Sequence, residues 1–194
     1  MMEEEGVCKM AKVDLNSMAL SDVSMIRLVT KDGKNNEYIF TSSTDFEAEE
    51  VIQEGEEKPL IIKGVLRANK PAKDTLLGHD IKLVDNLFTP EVLCLLQGGE
   101  IEAGEDGKFK KYLPPIVGED VVKVKFDTEI YSAIVENDGE TGEYLKTVYY
   151  NCVGQNKPLS FKDDEYFVAE YGIQSRPANG ERPYDFEVVT GLPK

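Results

Sequence analysis

The stretch LLGHDIKLVDNLFTPEVLCLLQGG, Leu76–Gly99, carries three local signals in succession. From His79 to Val84 apolar and polar residues alternate, with Ile81 and Leu83 on one face and Asp80 and Lys82 on the other. That period of two is a strand with one wet face. A helix start follows. Thr89 offers an N-cap hydroxyl to an orphan amide of the first turn. Pro90 stands at the first helical position, where its missing N–H costs nothing. Glu91 puts negative charge at the positive end of the helix dipole, and Phe88 and Leu93 have the spacing of a hydrophobic staple. Gly98 and Gly99 supply a left-handed stop. A helix of about two turns does not persist alone in water, and Val92, Leu93, Cys94, Leu95 and Leu96 leave this one apolar on every side. It reads as a plug docked on a sheet through Phe88, Thr89, Pro90, Val92, Leu93, Leu96 and Gly98, with Phe88 and Leu93 as buried anchors.

The flanking sequence reads as β-structure. Residues 1–20 lack periodicity and form an N-terminal arm, mobile or engaged in an interface; residues 21–194 form a single β-domain. Ser24–Thr30 and Glu37–Thr41 are strands joined by the turn Lys31-Asp32-Gly33-Lys34, where Asp-Gly tolerates positive φ. The block Asp45–Glu57 (DFEAEEVIQEGEE) holds no basic residue; its apolar positions fit either an alternating strand up to Ala48 or a short helix. LIIKGVLR, Leu60–Arg67, reads as one strong strand with Leu60, Ile62 and Leu66 on one face, followed by a loop over Ala68–Leu77.

Beyond the helix, Gly104–Gly107 reads as a flexible turn and Leu113-Pro114-Pro115 as extended chain. Val122, Val124 and Phe126 alternate with Lys123 and Lys125, Thr128–Val135 follows, and Asn137-Asp138-Gly139 turns into Tyr144–Cys152. After a loop at Gly154–Pro158, Phe167, Ala169, Tyr171 and Ile173 line one strand face, and Tyr184, Phe186 and Val188 line another. The expected fold is mainly β: an antiparallel β-sandwich or barrel of about nine strands with one short flanking helix.

Composition narrows the function. The chain of 194 residues has 41% hydrophobic residues, enough for a core, and a net charge of −15. That balance opposes a grip on phosphate backbones, which needs Lys and Arg. No apolar run spans a bilayer, and the polar, acidic start MMEEEGVCKM does not read as a secretory leader; a soluble protein made in a cytosol is expected, with no membrane partner. Cys8, Cys94 and Cys152 form no C-x-x-C pair and suggest neither a disulfide framework nor a zinc site; Cys94 and Cys152 read as small core residues.

A search for chemistry finds little. The single histidine, His79, has no nucleophile placed beside it by sequence, and no G-x-S-x-G elbow is present. It reads as a structural or surface residue. Acidic groups at Asp163-Asp164-Glu165, Asn137–Glu140 and Glu102–Asp106 lack EF-hand spacing. No catalytic residue, cofactor or metal is expected. Several valines (Val65, Val84, Val121, Val135, Val168, Val189) stand on nominally wet strand faces. Burial against neighbouring chains accounts for them, and so does the ordinary preference of valine for strands.

Three stretches resemble bacteriophage major tail proteins, the subunits of the tail tube: Gly78–Gly99 with its strand, "DN" turn and short helix ending in Gly-Gly; EGEEKPLIIKGVLRANKPAKDTLLG, Glu54–Gly78; and the closing strands of Tyr150–Pro193 with their aromatic-rich strand and proline-bounded loop. The resemblance implies a non-enzymatic structural subunit that forms hexameric rings stacked into a hollow tube. The location implied is the virion tail, assembled in a bacterial host cytoplasm. A tape-measure protein, a tail terminator and a baseplate are the implied partners, with DNA passing unbound. Whether the tail is contractile, non-contractile or a bacteriocin-like particle stays open. Under this resemblance Glu47, Glu49, Glu50 and Glu54 are candidates for a lumen lining or an acidic surface. Val65, Arg67, Asn69, Lys70 and Lys73, with the N-terminal arm, are candidates for inter-subunit contact. The alternative from the residues themselves is a β-sandwich binding module for carbohydrate or calcium-dependent adhesion, drawn from Tyr144, Tyr149, Tyr150, Tyr166 and Tyr171 and the acidic loops.

Overall fold

The computed structural model describes residues 18–63, 65–136, 139–159, 163–164 and 166–193. The expected arm up to residue 17, Asn137-Asp138 of one expected turn, and Glu165 of one acidic group lie outside the described residues. The fold is mainly β, with twelve strands and one helix among the described residues rather than about nine strands. In chain order these are β1 Ala19–Thr30, β2 Glu37–Phe40, β3 Ser43–Gln53, β4 Lys58–Ile62, β5 Val65–Lys70, β6 Thr75–Asp85, α1 Pro90–Gln97, β7 Glu100–Ala103, β8 Phe109–Leu113, β9 Phe126–Glu136, β10 Gly139–Gln155, β11 Ala169–Ser175 and β12 Tyr184–Thr190.

Eight strands form one antiparallel sheet in the order β2-β1-β9-β10-β11-β6-β3, with β12 also paired to β10. The 17-residue β10 serves both layers. It runs along β9, while its opposite edge carries β12 at Glu143–Tyr149 and β11 at Cys152–Gln155. Between those segments the register slips and Asn151 takes φ +52. A slip of this kind bends a strand, and here it lets the sheet turn back until β3 lies against β1. The enclosed core holds Ile26, Leu28, Phe40, Ile81, Leu83, Phe126, Ile130, Tyr171 and Ile173. Two short antiparallel ribbons, β4–β5 and β7–β8, stand apart from this sheet.

The helix lies where its sequence placed it, with Val92, Leu93, Leu95 and Leu96 buried and Pro90 opening it. Gly98 and Gly99 have positive φ, and the Gly98 N–H donates to the Cys94 carbonyl at 2.9 Å. Two details differ. Thr89 makes no side-chain cap; its carbonyl accepts from Val92 and Leu93, and its own N–H donates to Tyr171 Oη at 3.3 Å. Phe88 is not a buried anchor. It is 41% exposed and meets Phe167 edge-on at 5.6 Å. The helix packs hard on β10: a Cβ at Gly154 would overlap the backbone of Leu96, so only glycine lets helix and strand approach this closely.

Other expectations shift. The acidic block is a strand through Gln53, not a helix. LIIKGVLR is not one strand but two, turning at Lys63, whose φ is +52; Leu66 therefore faces Ile61 across the ribbon. Ala68–Lys70 and Thr75–Leu77 are strand, leaving a loop only at 71–74. The turn at Gly104–Gly107 joins β7 and β8, two strands the sequence did not signal. Residues 121–125 are irregular despite their alternation, and β9 begins at Phe126. Gly154 and Gln155 belong to β10, Phe167 precedes β11, and the arm ends earlier than residue 20, since Ala19 and Leu20 pair with Val135 and Ile134.

Candidate interaction surfaces

Strand β6 fixes the layout. It enters from the β4–β5 ribbon and exits into α1, and its 11 residues extend roughly 35 Å at about 3.3 Å per residue; α1 turns back from its far end, so that Leu96 lies on Gly154, in register with Ile173 and Ile81. Exposure changes along the same strand: Thr75, Leu76 and Leu77 are exposed, and Gly78, His79, Ile81, Leu83 and Asp85 are buried.

At the first end the ribbon continues the β3–β6 pair outward. Leu60, Ile61, Val65 and Leu66 are more than half exposed, with Ile61 and Leu66 at 60% and 59%. Leu60 and Ile61 are neighbours in one strand and so point to opposite faces; both faces of the ribbon are greasy. A two-stranded ribbon of this kind has little stability of its own. Of the candidate inter-subunit residues, Val65, Arg67, Asn69 and Lys70 lie on β5 and Lys73 in the link to β6, all exposed. Asn69 reaches Glu57 at 3.5 Å.

Beside the ribbon's base, β12 presents a second open surface. Register across β9, β10 and β12 puts Phe186 and Tyr184 on the face of Ile130 and Thr128, the core side. The expected apolar face therefore exists, yet Phe186 is 63% exposed and Val188 is also exposed, because among the described residues no strand covers β12 from inside. Ile52 and Leu76, paired across β3 and β6, are exposed as well. His79 is buried here, the structural of its two expected positions, between Tyr149 and Tyr184 at ring-centroid distances of 5.3 and 5.2 Å. Burial pushes its pKa down, Glu50 opposing and Arg176 adding to the shift.

Residues 114–125 cross the C-terminal end of α1 as an irregular strap. Lys123 pins it by donating to the Gly154 carbonyl at 2.7 Å and to Asn156 at 3.0 Å; burial lowers its pKa. Ile116, Val117, Val121 and Val122 are exposed, Val122 at 90%. An open groove of about 520 Å³ runs there, lined by Ile116, Val121 and Val122 together with Glu100, Glu119 and Asp120.

The outer face of the sheet is polar, and its charges are paired in a ladder. Glu37, Arg27, Glu129, Lys146 and Glu187 form an alternating ladder across β2, β1, β9, β10 and β12, with successive contacts of 2.7, 3.6, 3.2 and 3.5 Å. Tyr150 donates to Asp185 at 2.7 Å, and that bond, with burial, pushes its pKa to about 12. The four candidate acidic residues do not form one face. Glu47 and Glu49 are exposed on the side of β3 opposite Phe46 and Ala48; Glu50 lies across from His79; Glu54 follows the strand. Glu47 and Glu49 line a recess with Asp80, Lys82 and Lys157.

The wet-face valines divide. Val65, Val121 and Val168 are exposed, whereas Val84, Val135 and Val189 are half-buried. The Cys94 and Cys152 thiols are both pushed up by burial, Cys152 to about 11, the reverse of what an attacking thiolate needs. Among the described residues no group of three His, Cys, Asp or Glu side chains is placed to hold a metal ion, and no helix is long and apolar enough to cross a membrane.

The sequence marks the β5 residues of the ribbon, the apolar face of β12 as a core face and, on the strap, Val121 alone; it does not signal that these lie open. The available signal for the strap was an apolar run, Ile116–Val117 and Val121–Val122, interrupted by Gly118-Glu119-Asp120. No family model matches the chain, and no curated protein matches it at a significant level.

Proposed function

We propose that this chain is a structural subunit of a phage-type tail tube: copies join into rings, of six by the resemblance, and the rings stack around a lumen through which DNA passes unbound. The observation that carries this reading is a sheet that encloses its own core yet leaves apolar surface open at two places. Among the described residues the β4–β5 ribbon forms a sheet of its own with exposed apolar side chains, and apolar residues stay open around the groove at the C-terminal end of α1. Exposed apolar surface on this scale marks interaction sites. Among the described residues the main sheet also ends in unpaired edges on β2, β3 and β12; unpaired strand edges are templates for pairing with another chain. Contacts between unlike surfaces build filaments where the rotation does not close, so tube length is set by other components, which the resemblance gives as a tape-measure protein, a terminator and a baseplate. A net charge of −15 suits a conduit past which DNA slides without sticking.

Negative-stain electron microscopy of the purified protein at rising concentration tests this. Rings and stacked tubes are expected. A species that stays monomeric at millimolar concentration in both low and high salt contradicts the reading.

A further inference from the structure

The ribbon differs from the rest of the molecule in charge. From Lys58 to Lys73 the sequence holds Lys58, Lys63, Arg67, Lys70 and Lys73 and no carboxylate, within a chain of net charge −15. Its apolar residues, Leu60, Ile61, Val65 and Leu66, are exposed among these cations. The groove over the C-terminal end of α1 has the inverse character: Ile116, Val121 and Val122 are exposed, with Glu100, Glu119 and Asp120 around them. Apolar centre meets apolar centre, and cation meets carboxylate.

We propose that the β4–β5 ribbon of one copy docks in the acidic, apolar groove over the C-terminal end of α1 on a second copy, joining copies head to tail. The proposal rests on the tube reading and specifies which surfaces carry its lengthwise contact. Contacts between unlike surfaces build filaments where the rotation does not close. The ribbon gains the apolar cover it lacks, and the charged rim sets orientation and speeds encounter. Association therefore weakens as salt is raised, because rim charges are screened.

A charge-swap experiment tests this by sedimentation velocity. One variant carries Lys63→Glu with Arg67→Glu, the other Glu119→Lys with Asp120→Lys; circular dichroism and thermal melts confirm that both fold. Each alone sets like charge against like and is expected to associate at least about tenfold more weakly than wild type. An equal mixture pairs the acidic ribbon of one with the basic groove of the other, and the acidic groove with the basic ribbon, so association returns. If both variants assemble like wild type, or the mixture stays apart, the docking is wrong while the tube reading stands. Wild-type protein that never self-associates overturns both. If the ribbon variant loses retention on heparin or DNA while its self-association is unchanged, the ribbon serves a polyanion and the docking is again wrong.

Discussion

Strand β6 joins two regions built from similar residues with opposite fates. Beyond Asp85, α1 buries Val92, Leu93, Leu95 and Leu96 against the barrel; before Thr75, the β4–β5 ribbon leaves Leu60, Ile61, Val65 and Leu66 in water. The two stretches are alike in apolar content, so hydrophobicity alone does not separate them. Connectivity does. The helix turns back over the core and is held down by the close approach at Gly154, whereas the ribbon leaves the sheet at its end, past Gln53 and Thr75, and among the described residues pairs only within itself. The sheet and helix bury a shared core; a two-stranded ribbon has little stability of its own.

The strongest probe of this contrast is one substitution made at each place. Leu93→Asp puts a charge where the side chain is 2% exposed, a burial that costs several kcal/mol; no cooperative thermal melt is expected. Leu66→Asp changes the same residue type on the ribbon. A melting temperature within a few degrees of wild type is expected there, together with loss of self-association by sedimentation. Equal loss of folding in both would erase the distinction.

A smaller effect is expected at the helix seat. Gly154→Ala forces a methyl against the Leu96 backbone, and such overpacking costs about 1–3 kcal/mol. Urea titration followed by circular dichroism measures it, and an unchanged midpoint would show that the helix yields.

The smallest concerns pH. His79 is depressed below its ordinary value of 6.5 by burial, so the unfolded chain takes up the proton first. Its share of stability is complete above about pH 6.5 and is lost as pH falls through the folded value. Glu50 and Arg176 face this ring with opposite influence. His79→Phe keeps an aromatic body beside Tyr149 and Tyr184, so the fall in melting temperature between pH 7 and pH 5 should be shallower than in wild type.

The sequence was most readable where local rules and tertiary contacts agree. At Leu76–Gly99 the alternation, the proline and the paired glycines all point one way, and the structure follows except at the Thr89 hydroxyl and Phe88. The β1–β2 hairpin is similarly plain. Reading failed where a pattern had two physical meanings. LIIKGVLR is apolar enough for a buried strand, yet Lys63 turns it into an exposed hairpin. Val122–Phe126 alternates like a strand, but Lys123 ties it across the end of β10, and it forms no ladder. Phe186 has the right parity for a core face, and parity does not say whether a second layer covers that face. The interaction surfaces were therefore only partly legible: the exposed residues of β5 were identified, while the complementary groove depends on chain crossings distant in sequence.

Hydrogen–deuterium exchange at low and high protein concentration bears on whether the ribbon is completed by another copy. Amides of β9 and α1 are expected to exchange slowly at both concentrations, because the core they enclose is buried within one chain. Amides of β4 and β5 should exchange fast in dilute protein and become protected as concentration rises. Ribbon amides that exchange at the same rate at both concentrations, fast or slow, would contradict the account.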